Sequence, residues 1–330
     1  MNFLKGHSKP AQWRADVAVE LAATGVRLMS VTTRATWRTS TLVLGPTDRP
    51  ISKWRRWRNK WQQWRGIIIF CLLIGGLLYA LVIEPMRLVV RKTTITLPDW
   101  KVEFRDLRVT VFSDLHVGPP HITLTRLRSI VEEANATEAD LILMPGDFVQ
   151  TPLGWRMAEP EEIAAELKRL RAKAGVFATL GNHDRWYNAT RVRQAFEKAG
   201  IRVLDNQAVK IEHQGKAFWV AGFADAWAGH PNIEGTMRQI TDDAPVIAFT
   251  HNPEIFPSIP ARVALTIAGH THGGQIWLPF IGRPVISDWP YAIGHIIEDG
   301  RHLFVTPGIG TSIFPVRFGV PPEISLLTIR

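Results

Sequence analysis

The chain has 330 residues, a formal net charge of +9 and a single cysteine, Cys71. That length is enough for one large domain or two ordinary ones with a sizeable core, which excludes a peptide-sized scaffold. One cysteine excludes an internal disulfide framework and a thiolate-rich zinc site, so any metal ligands must be His, Asp, Glu or Asn.

Charge is unevenly placed. Residues 1–65 hold 13 Lys/Arg against three acids (Asp16, Glu20, Asp48), and the remainder holds 26 against 27. The basic character therefore belongs to an N-terminal arm, and the near-neutral remainder argues against an electrostatic groove for long nucleic acids. Within the arm, a short helical pattern over Val17–Leu28 precedes Thr, Arg and Gly/Pro punctuation, so a partly disordered segment is expected.

Next comes KWRRWRNKWQQWRGIIIFCLLIGGLLYALVIEP. Trp54, Trp57, Trp61 and Trp64 recur at three- and four-residue spacing between Arg and Lys, the pattern of a helix lying among lipid head groups. Ile67–Ile83 is free of charge and is closed by Glu84 and Pro85; its length lies at the short end of the ~17–25 residues that span a bilayer. A buried core helix would show a polar face, and this run shows none. Six cations from Lys53 to Arg65 precede the run, and only Arg87, Arg91 and Lys92 closely follow it. Positive-inside bias then puts the N-terminus in the cytoplasm and the large domain in the periplasm, on a single-pass inner-membrane anchor. No small-x-small cleavage site follows the apolar core, so the run is expected to be retained. The expected organisation is a basic arm at 1–65, a transmembrane helix at 66–84, a linker at 85–104 and a folded domain at 105–330.

From about residue 100, strand-like and helix-like patterns alternate. LRVTVFSD (107–114) reads as a buried strand, LTRLRSIVEEANA (124–136) as an amphipathic helix, and ADLILMPGD (139–147), EEIAAELKRLRAKA (161–174) and GVFATLGNHD (175–184) repeat the alternation. This β-α-β-α-β start predicts an α/β domain with a largely parallel sheet. AVKIEHQGKAFWVAGFAD (208–225) adds a hairpin pattern, so a mixed sheet is expected.

Five apolar runs each finish in potential metal ligands: Asp114 and His116, Asp147, Asn182 through Asp184, His251, and finally His270 and His272 in AGHTHGGQ. Strand ends are where open α/β sheets build their sites. A lone strand-end Asp is more often a helix cap, and a lone His more often a core or surface residue; five such ends in one chain are a constellation.

The series SDLHVG, GDFV, GNHD, THNP and GHTHGGQ closely resembles the calcineurin-like metallophosphoesterase family over residues 105–330. The resemblance implies an α/β fold, a four-layer αββα sandwich with a two-metal site at the strand ends. It suggests Asp114, His116, Asp147 and His272 on one divalent ion and Asp147, Asn182, His251 and His270 on the other, Asp147 bridging. These N/O donors suit Mn, with Fe or Zn as alternatives. His183 is placed beside the substrate as general acid or charge stabiliser, with Asp184 orienting its imidazole or, alternatively, capping the helix that follows. Two such metals, about 3.5–4 Å apart, lower the pKa of a bound water and clamp phosphate oxygens for in-line attack. Gln150 stands where an acid is frequent after GDFV.

The tail GIGTSIFPVRFGVPPEISLLTIR resembles the membrane-associated branch that includes transmembrane metallophosphoesterases and UDP-2,3-diacylglucosamine hydrolases of lipid A synthesis. A phosphate or head-group contact is expected for Arg317, with a surface ion pair as its alternative. Implied partners are the lipid bilayer and a lipid-linked or small-molecule phosphate ester. One tension stands: the nucleotide-linked lipid is made on the cytoplasmic side, whereas the charge bias puts the domain across the membrane. A periplasmic phosphodiesterase of other specificity, a nuclease or cyclic-nucleotide phosphodiesterase, a protein phosphatase and a non-enzymatic envelope-binding protein are the competing readings.

Overall fold

The Trp-rich segment and the apolar run form one helix, α1 (Lys53–Leu78), followed by a π-helical turn at Tyr79–Ile83 and a 3-10 turn at Glu84–Met86. The structure is a computed structural model that describes residues 53–98, 100, 104–150, 157–286 and 289–330. The helix expected over Val17–Leu28 and the disorder expected of the first 50 residues lie outside the described residues. Lys53–Met86 is long and apolar enough to cross a membrane, and no residue of α1 is buried. No break separates the four exposed tryptophans from the apolar run, so the boundary expected at residue 65 falls inside a helix.

Asn59–Arg330 forms a compact unit built on two six-stranded sheets. The first has the order β1 (Val89–Ile95), β12 (Glu323–Ile329), β2 (Leu107–Val111), β3 (Leu141–Pro145), β4 (Val176–Thr179), β5 (Arg202–Val203). The second runs β10 (Gly294–Glu298), β11 (Arg301–Val305), β9 (Leu265–Ala268), β8 (Val246–Phe249), β7 (Lys216–Gly222), β6 (Gln207–His213). β2 through β5 pair in parallel, as do β7, β8, β9 and β11, while β6–β7 is the antiparallel hairpin expected from the sequence. Both sheets are mixed.

Strand alternation decides which residues meet. Val109, Val111, Leu141 and Leu143 of the first sheet share one core with Val220, Ile247, Phe249 and Ile267 of the second. On the opposite face of the first sheet, Phe112, Ile142 and Met144 pack under α2 (Leu124–Ala136), α3 (Pro160–Leu167) and α4 (Asn182–Lys198). The second sheet's outer face is covered by α5 (Ile233–Met237) and the 3-10 turn Pro253–Ser258 through Trp219, Ala221 and Ile255. The result is the four-layer αββα order that the resemblance implies.

Two local expectations need correction, and one helix is irregular. Within the span expected as a linker, 85–104, Val89–Ile95 is a strand that pairs in parallel with Glu323–Ile329 along the sheet edge. Arg91 and Lys92 give that segment the charged look of an edge strand, and its partner lies far along the chain. The helix expected over 161–174 ends at Leu167, because the Asn135 side chain donates to Arg169 O (2.9 Å) and accepts from Arg171 N (2.8 Å), holding the backbone out of helical register. Finally, α4 is kinked at Asn188 (φ −176°), whose Oδ1 accepts from Arg191 N at 3.0 Å. Asn188 therefore caps the second segment, NATRVRQAFEK. Asn188→Ala is expected to lower stability by about 1 kcal/mol, read as a lower thermal midpoint with turnover unchanged.

Candidate metal centre

The strand-end residues of both sheets converge on one cleft. β2 delivers Asp114 and His116, β3 delivers Asp147, and Asn182 and His183 open α4 after β4; β8 delivers His251, and β9 delivers His270 and His272. Backbone bonds lock the loops together: Asp114 N donates to Gly146 O (2.9 Å) and His116 N to Asp147 O (3.0 Å). Five of these side chains leave backbones with positive φ, namely Asp114 (54°), His116 (43°), Asp147 (57°), His270 (71°) and His272 (51°). Left-handed non-glycine residues cost roughly 1–2 kcal/mol each and cluster at functional sites.

Side-chain nitrogens and oxygens fall into two groups. His116 Nε2 lies 3.1 Å from His272 Nε2, and His272 Nε2 lies 3.4 Å from Asp114 Oδ1. His251 Nε2 lies 3.0 Å from both Asn182 Oδ1 and His270 Nδ1. Asp147 Oδ2 reaches both groups, at 3.6 Å from His116 Nε2 and 3.2 Å from His251 Nε2. All seven residues proposed as ligands are thus brought together in the grouping the resemblance suggests. His116, Asp147 and His183 also have atoms close enough to share an ion.

The donor set fits cations. Paired imidazole nitrogens and carboxylate oxygens converge with too few protons to satisfy every lone pair, and a cation satisfies them together. Burial pushes His116 and His270 down to about 3 and His272 well below its usual value, which keeps these rings neutral, the form that ligates metal. Burial would also lower His251, but the charge and hydrogen bond of Asp147 push it up to about 10. Burial would likewise raise Asp147, yet the charge of His251 outweighs this and holds the carboxylate below its usual range. Asp114 is raised to about 6 by burial, which the charge of His251 opposes.

Supporting contacts fix the donors. His251 Nδ1 donates to Pro145 O (2.7 Å), which leaves Nε2 facing the cleft. The backbone N–H groups of His270 and His183 donate to Asp114 (3.0 Å) and Asp147 Oδ1 (2.9 Å), and Ser113 Oγ donates to Asp114. Glycine is required at 269, where a Cβ would strike the side chains of Ser113 and Asp114, and at 181, where it would strike the Asp147 carboxylate.

Asp184 and Arg317 are both held by the surrounding backbone. Asp184 is fully buried, and its oxygens accept N–H bonds from Asp147 (2.9 Å), Phe148 (2.9 Å), Val149 (3.0 Å) and Gly181 (3.0 Å). Its carboxylate therefore binds the GDFV backbone and caps α4, the second of the two roles that the sequence offers. Burial and the Asp147 charge raise Asp184 to about 7, against the pull of these N–H groups; each of the four bonds favours the ionised form. Arg317 is not a substrate contact. It is fully buried and donates to Gly310 O (2.7 Å), Val320 O (3.0 Å) and Pro307 O (3.0 Å), with Nη2 3.4 Å from His272 Nδ1. A guanidinium so enclosed holds the C-terminal loop against the His272 side of the cleft.

The cleft has a volume of about 550 Å³ and is lined by His116, Asp147, Asn182, His183, His270 and His272, together with Gln150, Trp186, Trp227, Trp289, Ile286 and Ile313. His183 packs edge-on against His116, with ring centroids 4.6 Å apart, and burial lowers its pKa, favouring the neutral ring. Trp227 meets His270 edge-on at 4.3 Å and Trp289 stacks on it at 5.5 Å. Neither tryptophan carries a sequence signal. Asp225 does: GFAD closes β7 as the other motifs close their strands. It is fully buried, and its Oδ2 accepts from Trp227 N (2.9 Å) and Ala228 N (2.7 Å).

The profile of calcineurin-like phosphoesterases matches residues 107–274, a span containing all seven candidate ligands. The chain is 30% identical to the uncharacterized metallophosphoesterase YkuE of Bacillus subtilis over 78% of this chain and 90% of that one. It is 29% identical to the phosphodiesterase YaeI of Escherichia coli, covering 67% and 81%, and 26% identical to a transmembrane protein with metallophosphoesterase domain from Danio rerio, covering 68% and 53%. Among solved structures, a putative 5'-nucleotidase from Staphylococcus aureus aligns with TM-score 0.40 and 14% identity over 68% of this chain and 54% of that one. By profile and by identity, the chain belongs to the calcineurin-like phosphoesterase family, whose members are divalent-metal phosphoester hydrolases.

Proposed function

We propose that this protein is a membrane-anchored two-metal hydrolase of a phosphodiester or pyrophosphate bond in an amphiphilic, lipid-linked substrate. The observation that carries the reading is the sharing of Asp147 Oδ2 between two His/Asp donor groups. One ion would be held by Asp114, His116, Asp147 and His272, the other by Asp147, Asn182, His251 and His270; manganese is our choice, with iron and zinc as alternatives. When bound, such ions supply Lewis-acid activation of the phosphoryl group and of the attacking water.

The chain's own residues do the rest. His183, on the cleft wall, would hand a proton to the departing oxygen as its imidazolium, the form that the negative charge of a bound phosphate favours. Gly181 and Gly269 let the ligand loops approach without intervening side chains. Trp186, Trp227 and Trp289 give the cleft apolar walls that exclude water and suit a substrate with a bulky, weakly polar group. UDP-2,3-diacylglucosamine is the specific candidate on the cytoplasmic face. With the N-terminus cytoplasmic and the domain periplasmic, as the flanking cations favour, the substrate is a different periplasmic phosphodiester. A relative named a phosphodiesterase and another named a transmembrane protein are consistent with either.

His183→Gln is expected to cut turnover of an aryl phosphodiester about 10²–10⁴-fold while leaving metal content unchanged. Stopped turnover with loss of a metal would instead make His183 a ligand. Assay of UDP-2,3-diacylglucosamine beside the aryl diester, in detergent with added manganese, tests the substrate: cleavage of the aryl diester alone removes the lipid nucleotide from consideration.

A further inference from the structure

Exposed apolar side chains are concentrated on one side of the domain. Beyond Met86, the large exposed apolar residues among those described are Val90, Trp186, Trp227, Trp277, Phe280, Ile281, Val285, Ile297, Ile313 and Phe314. Six of these ten lie in two segments, 277–285 and 313–314. The first contains a tight turn in which Leu278 N donates to Gly282 O (2.8 Å) and Gly282 N returns the bond to Leu278 O (2.9 Å), with Pro279, Phe280 and Ile281 at its tip. Phe280 is fully exposed there, and Ile313 is 73% exposed.

Both residues hold left-handed backbones, with φ 68° for Phe280 and 64° for Ile313. Glycine adopts that conformation freely, whereas a bulky or β-branched residue is strained in it. The fold thus holds two large, mostly exposed apolar side chains on strained backbones.

The two segments are joined to each other and to the end of the apolar helix. Trp277 N donates to Phe318 O (2.7 Å), Phe318 N donates to Gln275 O (2.8 Å), and Ser312 exchanges two bonds with the Gln275 side chain (2.7 and 3.0 Å). Arg317 N donates to Ala80 O (3.0 Å), Gly319 N donates to Glu84 Oε2 (2.9 Å), and Phe318 meets Tyr79 edge-on at 6.0 Å. Residues 79–84 are the last turns of the segment long enough to cross a membrane. The exposed apolar tips therefore lie where the chain would leave the bilayer, and Val285, Ile286 and Ile313 are also walls of the metal cleft.

We propose that the 278–282 turn and the Ile313–Phe314 segment form an apolar lip that inserts into the phospholipid bilayer crossed by the protein's own helix, so that the metal cleft opens at the lipid surface. This deepens the function proposed above and rests on it for the membrane anchor and the amphiphilic substrate. The lip keeps acyl chains in lipid while the phosphate group moves sideways into the cleft. A cluster of exposed apolar side chains at a membrane-proximal edge is what a lipid contact requires and what an aqueous surface disfavours.

The test uses the full chain with Cys71→Ser, which removes the single native thiol, and with Phe280→Cys, Phe314→Cys or, as control, Lys216→Cys on the β6–β7 hairpin. Each is labelled with an environment-sensitive fluorophore and reconstituted into phosphatidylcholine–phosphatidylglycerol vesicles. The lip predicts loss of fluorescence at 280 and 314 with nitroxide-bearing lipid and little response to aqueous iodide, with the reverse at 216. Iodide quenching at 280 and 314 equal to that at 216, without lipid quenching, overturns it. In the unlabelled protein, Phe280→Ser with Phe314→Ser is expected to lower turnover of a vesicle-borne diacyl phosphodiester about tenfold, as two apolar anchors are lost, with a soluble aryl diester cleaved as before; equal turnover on the vesicle substrate counts against the lip. Lipid contact by both labels in a protein that cleaves neither ester would sink the hydrolase reading and leave the lip standing.

Discussion

Asp147→Asn is expected to lower phosphodiester turnover by about 10³-fold or more, since loss of a shared ligand removes several kcal/mol of metal-borne transition-state stabilisation. The substitution keeps the shape and replaces one carboxylate oxygen with an amide that donates. Asp147 Oδ2 faces His116 and His251, while Oδ1 accepts from His183 N, so either rotamer of the substituted amide spoils one of these interactions. The expected metal content of the variant is one ion per chain or fewer. Full turnover with both ions retained would end the bridging assignment.

Asp184→Ala is expected to be the most damaging substitution for stability. Its carboxylate satisfies the backbone N–H groups of Asp147, Phe148, Val149 and Gly181 in a fully buried place. Orphaning buried donors costs about 1–3 kcal/mol each, less where water enters, and removing one partner of a buried charged set costs about 3–5 kcal/mol. For a domain of this size the thermal midpoint should fall by about 10 °C. Asp184→Asn should also destabilise, because the amide nitrogen would face N–H groups that need an acceptor. The alternative, in which Asp184 serves only to orient His183, predicts lost turnover at an unchanged midpoint. Circular dichroism of the detergent-purified protein separates the two.

Much of this site was legible because its ligands are local punctuation. Each apolar run ends where its strand ends, and the residue that follows is already at the cleft; Asp114, Asp147, Asn182, His251, His270 and His272 all obey this. Partnerships formed at long range were not legible. β1 looked like a linker because nothing near Val89 reveals that it will lie beside Glu323. Arg317 looked like a phosphate contact or a surface ion pair because sequence does not display burial, and the carbonyls of Pro307, Gly310 and Val320 that receive it come from a folded loop. Asp184 offered two roles from the same letters, and only the folded backbone distinguishes between orienting an imidazole and closing a loop. Asp225 was readable by the strand-end rule, since GFAD finishes β7 as GDFV follows β3.

The tryptophans and the lip show a different limit. Trp227 and Trp289 reach His270 from loops without a motif, and LPFIG reads as an ordinary turn until the apolar helix end is found bonded next to it. Periodicity announces elements; it does not announce which loops will share a face.

The most direct test of the two-metal account is a metal titration of chelator-stripped protein, followed by hydrolysis of a soluble aryl phosphodiester and by metal analysis of the product. Two manganese ions per chain, with turnover rising only as the second is bound, is the predicted result. Full turnover with one ion or none bound would contradict it.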